Sequence, residues 1–222
     1  IHFAMEYLTQ QNKINRGLDI PYDYLINARG KDVIVLGGGD TGSDCVGTAV
    51  RQGARSIRQI EILPKPPPVD GMENPSWPYM PLVLKTTSSH EEGCERYWEL
   101  STRKFLGEMQ HVTGLDLISV EWARDAKGQM RMVEVPGMEM TLPADLVLLS
   151  LGFINPVQEG IIDSLELKVS DRKNIMTDLQ LRTSHPRVFA AGDALNGASL
   201  VVTAIHSGRK AAEAMHAFLM NS

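Results

Sequence analysis

Apolar and polar positions change texture along this chain in a pattern that predicts an α/β protein. Residues 2 to 12 place Phe3, Ala4 and Leu8 on one side of a short helix before Gly17 and Pro21 interrupt it, and this stretch reads as a connector. Asp32-Val33-Ile34-Val35-Leu36 is a near-continuous apolar run, the texture of a strand buried on both faces of a parallel sheet, and it ends in Gly37-Gly38-Gly39-Asp40-Thr41-Gly42. Ser43 to Gln52 then carries Cys45, Val46, Ala49 and Val50 at helical spacing, with Gly53 as the stop, and Ile57 to Leu63 returns as a strand. Together they predict a β-α-β unit. The prolines of residues 64 to 81 mark an irregular excursion anchored by Met72, Trp77, Tyr79 and Met80. Residues 90 to 108 read as a helix. Leu115 to Ala123 and Met130 to Val135 read as strands joined by the Asp125-Ala126-Lys127-Gly128 turn, and Leu146 to Leu151 as a buried strand closed by Gly152. Near the end Val188 to Ala191 predicts a strand, Gly192-Asp193 a turn, and Leu200 to Leu219 a helix burying Val201, Ala204, Ile205, Gly208, Ala212, Met215 and Leu219.

Composition narrows the class. The 222 residues are 43% hydrophobic with a net charge of −5, which suits a globular protein and excludes disordered, collagenous and disulfide-stapled chains. Lys and Arg are scattered, so no one-sided basic surface favours nucleic acid or an anionic membrane as a partner. Cys45 and Cys94 form no C-x-x-C pair, and no apolar run is long enough to span a bilayer; a cytoplasmic setting is the expectation. His2, His90, His111, His185, His206 and His216 lack metal-ligand spacing, and the motifs for acyl transfer, zinc hydrolysis and triphosphate hydrolysis are missing. The chain begins at Ile1 and reads as a piece of a longer one.

Two constellations carry chemistry. Gly37-x-Gly39-x-x-Gly42 between a strand and a helix suits a dinucleotide: the first glycine permits the turn, the second lets backbone approach a pyrophosphate, the third lets helix and strand pack. Free N–H groups at the helix start then face the phosphates, with Asp40 and Thr41 in the loop and Thr41 either capping the helix or touching phosphate. Glu61, about 20 residues beyond Gly39, stands where a carboxylate accepts the adenine ribose hydroxyls of NAD and repels a 2′-phosphate. Arg58 and Lys65 lie close enough in sequence to meet a phosphate instead, which leaves NAD against NADP open with Glu61 favouring NAD. The second constellation is Gly192-Asp193 followed by Ser199, Leu200 and Val201, a carboxylate at a strand end able to hold the hydroxyls of a sugar or ribitol chain. Its bland alternative is an ordinary strand-turn-helix packing unit.

The strings VIVLGGGDTGSDCVGTAVRQGA, IEILPKPPP and VFAAGDALNGASLVVTAIHSGRKAA, in that order and spacing, resemble the small (beta) subunits of glutamate synthase. HFAMEYLTQQNK and ENPSWPYMP look like further segments of that family, so the resemblance runs from Ile1 nearly to the end. It implies a flavoprotein of pyridine nucleotide-disulfide oxidoreductase type, with residues 1–29 a connector and residual flavin-domain segment, 30–147 a Rossmann-like NAD(P)-binding domain, and 148–222 the C-terminal portion of a split FAD-binding domain. The implied reaction passes hydride from NAD(P)H to FAD and electrons through iron–sulfur clusters to the glutamate synthase large subunit, which makes glutamate from 2-oxoglutarate and glutamine-derived ammonia. Position by position, Gly37, Gly38, Gly39 and Gly42 match the nicotinamide-dinucleotide loop, Gly152 the strand end where the chain re-enters the flavin domain, and Gly192-Asp193 the late FAD motif, with Ser199, Leu200 and Val201 near the isoalloxazine. In the family the early flavin loop and the cysteine-rich cluster region precede this segment, so the segment alone is expected to bind the nicotinamide cofactor, retain little flavin and not turn over. Hydride transfer between stacked rings needs positioning more than an acid or base, so no catalytic side chain is expected. The rival readings are an electron-transfer subunit of another flavin-dependent oxidoreductase and a non-catalytic nucleotide-binding or docking module.

Overall fold

A computed structural model describes residues 1–68 and 83–220, which divide into two compact units, Ile1–Leu151 and Gly152–Ser222. In the first unit β1 (His2–Phe3), β2 (Asp32–Leu36), β3 (Ser56–Ile60), β4 (Glu95–Tyr97) and β8 (Leu146–Leu149) form a parallel sheet of order β1-β8-β2-β3-β4. Helices α1 (Ala4–Asn15) and α2 (Asp40–Gln52) pack against each other and the sheet, and a short α3 (Ser88–Glu91) packs on α2. A separate antiparallel sheet holds β5 (Leu100–Glu108), β6 (His111–Arg124) and β7 (Met130–Pro143).

The apolar run of β2 has two faces to fill. Val33 and Val35 enter one core with Ala4, Tyr7, Cys45, Val46 and Leu148, whereas Ile34 and Leu36 enter another with Val147 of β8 and with Leu115, Leu117 and Leu142 from the antiparallel side. A strand covered on both faces has no reason to alternate, hence the continuous texture. Burial pushes the Cys45 thiol up to about 12, so it behaves as an inert apolar group. The first 29 residues pack as part of this unit, beyond the connector that the sequence predicts: β1 pairs with β8, Ala4, Tyr7 and Ala28 are core residues, and the Tyr7 hydroxyl and the Ala28 N–H both donate to Gln52 Oε1. Phe3, expected on one side of the first helix with Ala4 and Leu8, precedes that helix and is exposed.

Three expectations are corrected. Residues 90–108 are not a helix. Gly93, at φ +125°, ends α3, Glu95–Tyr97 pairs in parallel with β3, and Leu100–Glu108 pairs with β6, because tertiary pairing of a segment that carries Tyr97, Trp98, Thr102 and Phe105 outweighs its helical spacing. Val188–Ala191 is not a regular strand: its backbone turns back on 181–183, with Ala190 N–H donating to Leu181 and Thr183 N–H to Val188, and only an isolated Arg182–Phe189 bridge forms. The packed face of the last helix is also shifted. In the second unit, where α4 (Ile161–Ser164), α5 (Asp193–Asn196) and α6 (Val201–Met220) surround a core of Ile162, Leu167, Ile175 and Ala190, the α6 positions turned inward are Ala204, Ser207, Ala211, Ala214 and Phe218. Val201, Ile205, Met215 and Leu219 are exposed, because the small stripe lets Ser207 Oγ accept the Gly192 N–H and sets Phe218 edge-on to Phe189 at 5.9 Å. Residues 64–68 are irregular, as predicted; the remainder of the proline-rich excursion, Met72, Trp77, Tyr79 and Met80 included, lies outside the described residues.

Candidate functional site

Glycines 37, 38, 39 and 42 stand at the carboxyl end of β2, where open α/β sheets bind ligands. Each answers a different constraint. Gly37 has φ +115°, and a Cβ there would lie 2.1 Å from the Ser150 carbonyl oxygen. A Cβ on Gly42 would lie 2.4 Å from the Gly37 carbonyl oxygen and 2.8 Å from Gln59 Nε2. Gly39 is the N-cap of α2 with extended φ, and a Cβ there would meet nothing within 4 Å. The loop is thus closed against the protein at its first and last glycines and open at the middle one. α2 begins at Asp40 with Thr41 beside it, and Gly53, at φ +83°, caps its far end.

Glu61 follows β3 and turns back to the loop. Its Oε2 accepts the Gly38 N–H at 2.7 Å and its Oε1 accepts the Leu63 N–H at 3.0 Å. A Cβ on Gly38 would lie 2.6 Å from that Oε2, so the second glycine makes room for the carboxylate. Gly38, Gly39, Asp40 and Glu61 share the wall of a cavity of about 340 Å³ with Arg96 and Trp98, while Lys65 Nζ and the Arg96 guanidinium lie over the Trp98 ring at 4.9 and 5.0 Å. A second cavity, of about 350 Å³ and mostly apolar, opens on the other flank of the loop beside Leu36, Gly37, Leu149 and Leu151. Of the alternative phosphate partners, Arg58 is paired with Glu95 at 3.3 Å, whereas Lys65 Nζ lies over the ring of Trp98, which lines the cavity.

The site also contains residues that the sequence reading assigned no role. Gln59, 2% exposed, donates from Nε2 to the Gly37 carbonyl at 2.9 Å, and its Oε1 meets His90 Nε2 at 2.8 Å. Thr87 N–H donates to His90 Nδ1 at 3.1 Å, and the Thr87 and Ser43 hydroxyls share a short hydrogen bond. A glutamine amid the apolar residues of a buried strand, and the Thr-x-x-His capping spacing, were the available signals.

In the second unit, Gly192, at φ +62°, precedes α5, and Asp193 Oδ1 accepts both the N–H and the hydroxyl of Ser199 at 3.2 and 3.1 Å. Leu200 and Val201 are exposed beside it, and Gly152, at φ +88°, begins the unit. Among the described residues no cluster of His, Cys, Asp or Glu has metal-ligand geometry, and no helix is long and apolar enough to cross a membrane.

A parallel sheet with a glycine fingerprint at its carboxyl edge and an acid after the next strand defines a dinucleotide-binding class of fold. A family model for pyridine nucleotide-disulphide oxidoreductases matches residues 1–208, and the chain belongs to that family. It is 41% identical over 225 residues to the glutamate synthase [NADPH] small chain of Mycobacterium tuberculosis, covering all of this chain and 45% of that protein. It is 40% identical over 220 residues to the glutamate synthase [NADH] of Schizosaccharomyces pombe, covering 96% of this chain and 10% of that one. The resemblance first carried by the three strings therefore holds over the whole chain, which spans less than half the length of these relatives. Mycobacterium tuberculosis FprA, solved in complex with NADPH, shares the fold with a TM-score of 0.59 at 14% identity, over 88% of this chain and 54% of that one.

Proposed function

We propose that the chain is the nicotinamide-binding part, with a portion of the flavin-binding part, of an oxidoreductase of the glutamate synthase small-chain type. The chemistry supplied by the groups it binds is hydride donation from NAD(P)H and uptake by FAD, with iron–sulfur clusters held elsewhere and a large subunit as the acceptor partner. The observation that carries the proposal is the open position at Gly39: with Gly37 and Gly42 closed against backbone and Gly38 against the Glu61 side chain, free space is left where a diphosphate approaches the start of α2. Gly38, Gly39, Asp40, Thr41 and Gly42 line that cradle; the Gly38 N–H holds Glu61, and the N–H groups at the start of α2 with the helix dipole offset phosphate charge.

Adenosine fits the cavity walled by Glu61, Arg96 and Trp98, and the nicotinamide end fits the apolar cavity on the opposite flank. Glu61, anchored by Gly38 and Leu63, offers its carboxylate to ribose hydroxyls and disfavours a 2′-phosphate, which selects NADH. In the second unit the Asp193 carboxylate beside exposed Leu200 and Val201 suits a polyol chain ending in a flat ring, the chemistry of FAD, with Gly192 and Ser199 shaping the turn and Gly152 leading into it. These side chains bind, orient and exclude water; none is required to move a proton.

Calorimetric titration of the 222-residue chain with NAD+ tests this. Saturable 1:1 binding that Gly39→Val abolishes, with the melting temperature retained, is the expected result; unchanged affinity in that variant contradicts it.

A further inference from the structure

We infer that His90 is a positioning residue for the phosphate loop, acting through Gln59 on the carbonyl of Gly37 in its uncharged form. The inference rests on the dinucleotide assignment above and adds residues that neither the glycine spacing nor Glu61 implies.

The direction of the hydrogen-bond chain is set at both ends. The Gly37 carbonyl only accepts, so the Gln59 amide must present Nε2 to it at 2.9 Å and turn Oε1 towards the imidazole. Oε1 only accepts, so His90 Nε2, 2.8 Å away, carries the hydrogen. The Thr87 N–H only donates, so His90 Nδ1, at 3.1 Å, is bare, and the Thr87 hydroxyl, also 3.1 Å away, can donate to it as well. One state of the ring, the neutral Nε2–H tautomer, satisfies every member. The group is largely buried, with Ser43 3%, Gln59 2% and His90 8% exposed, and Ser43, Thr87 and His90 form part of the wall of the cavity beside the loop. Ser43 ties the chain back to the cradle, because its N–H donates to the Gly39 carbonyl at 3.0 Å and its hydroxyl bonds that of Thr87. Gly42 leaves room for the Gln59 amide as well as for the Gly37 carbonyl. The carbonyl of Gly37 belongs to the peptide whose N–H, that of Gly38, donates to Glu61 Oε2, so fixing that carbonyl fixes the peptide plane that seats the Glu61 carboxylate and leads into the cradle.

Protonating Nδ1 would set the imidazolium against the Thr87 N–H; the Thr87 hydroxyl oxygen can take the new hydrogen, but the backbone N–H then loses its acceptor. Burial first, and Arg96 of β4 second, hold the His90 pKa below its ordinary value. The other faces bring Ser43 from α2 and Gln59 from β3, both uncharged; Asp40, Glu61 and Lys85 stand around the shared cavity, and Glu91 is exposed on α3 itself. The dinucleotide affinity therefore has an acid limb that comes from the protein.

The test is titration of the full chain with NAD+, which lacks the titrating 2′-phosphate, from about pH 8 to about pH 5. The wild-type affinity is expected to hold near neutrality and fall about fivefold or more at the acid end, as the competent fraction shrinks. His90→Phe and Gln59→Leu are expected to bind about tenfold more weakly with no acid limb, while His90→Gln, whose amide can still donate to Gln59, recovers most of the loss and stays flat with pH. An acid limb persisting in His90→Gln, or affinities of the Phe and Leu variants within about twofold of wild type, overturns the inference while leaving the dinucleotide assignment standing. Failure of the wild-type chain to bind NAD+ at the alkaline end overturns both. Should the two apolar variants not fold, nitrogen-15 spectra of the wild-type imidazole decide: the Nε2–H tautomer at neutral pH is required, and an Nδ1–H or charged ring contradicts it.

Discussion

The four loop glycines share a residue type but not a job, and that difference is measurable. Gly37→Ala forces a side chain into a backbone oxygen 2.1 Å away at φ +115°, so a loss of about 3 kcal/mol or more is expected in chemical denaturation. Gly39→Val, with nothing within 4 Å, leaves stability nearly unchanged and removes binding. Equal destabilisation by the two substitutions would contradict the division of labour. Glu61→Gln keeps an acceptor for the Gly38 N–H but removes the charge; the preference for NAD+ over NADP+ is expected to narrow about tenfold in competition titrations, and an unchanged ratio would assign selection to Lys65 or Arg96 instead. The fingerprint and the acid were legible because spacing alone places them. Gln59 and His90 were not: their pairing crosses 31 residues and depends on a short helix packing on α2. Nothing local in the sequence encodes that.

Among the elements, those whose pattern matches their burial were legible, and those stabilised by distant pairing were not. β2, α2 and β8 read correctly because each buries an uninterrupted apolar face and α2 ends on a left-handed glycine. β4 and β5 were read as helix because their partners, β3 and β6, lie far off in sequence or on the far side of a turn. The α6 helix was placed but its face was not, since two apolar stripes compete and the smaller one packs. At the sheet's amino-terminal edge, opposite the loop, Arg55 bridges Asp32 and Asp145, whose side chain also accepts the Asp32 N–H at 2.9 Å. The hydrogen bonds from Arg55 and Ser56 hold the Asp32 carboxyl down to about 2. A depressed carboxylate stabilises the fold above its unfolded pKa and loses that contribution as pH falls through the folded value. Melting curves are therefore expected to show stability declining between about pH 4 and about pH 2, with a shallower decline in Arg55→Met. A decline of equal slope in that variant would show that the pair does not contribute. NAD+ affinity at neutral pH is expected to be unchanged by it, because the edge is remote from the cradle.

For the whole molecule, the division at Leu151 and Gly152 separates a unit with two cores of its own from one with a smaller core around Ile162 and Leu167. Residues 1–151 contain the loop, Glu61, Gln59 and His90 together, so that unit expressed by itself is expected to fold cooperatively and bind NAD+ within about twofold of the full chain. Non-cooperative melting of it would contradict the assignment of the site to one unit. The family was legible because the motifs sit in order along one chain. The most direct test of the dinucleotide cradle is a backbone amide chemical-shift map of the full chain on titration with NAD+. The largest shifts are predicted at Gly38, Gly39, Asp40 and Thr41, with Glu61 next; shifts concentrated elsewhere, or none at saturating ligand, would contradict the account.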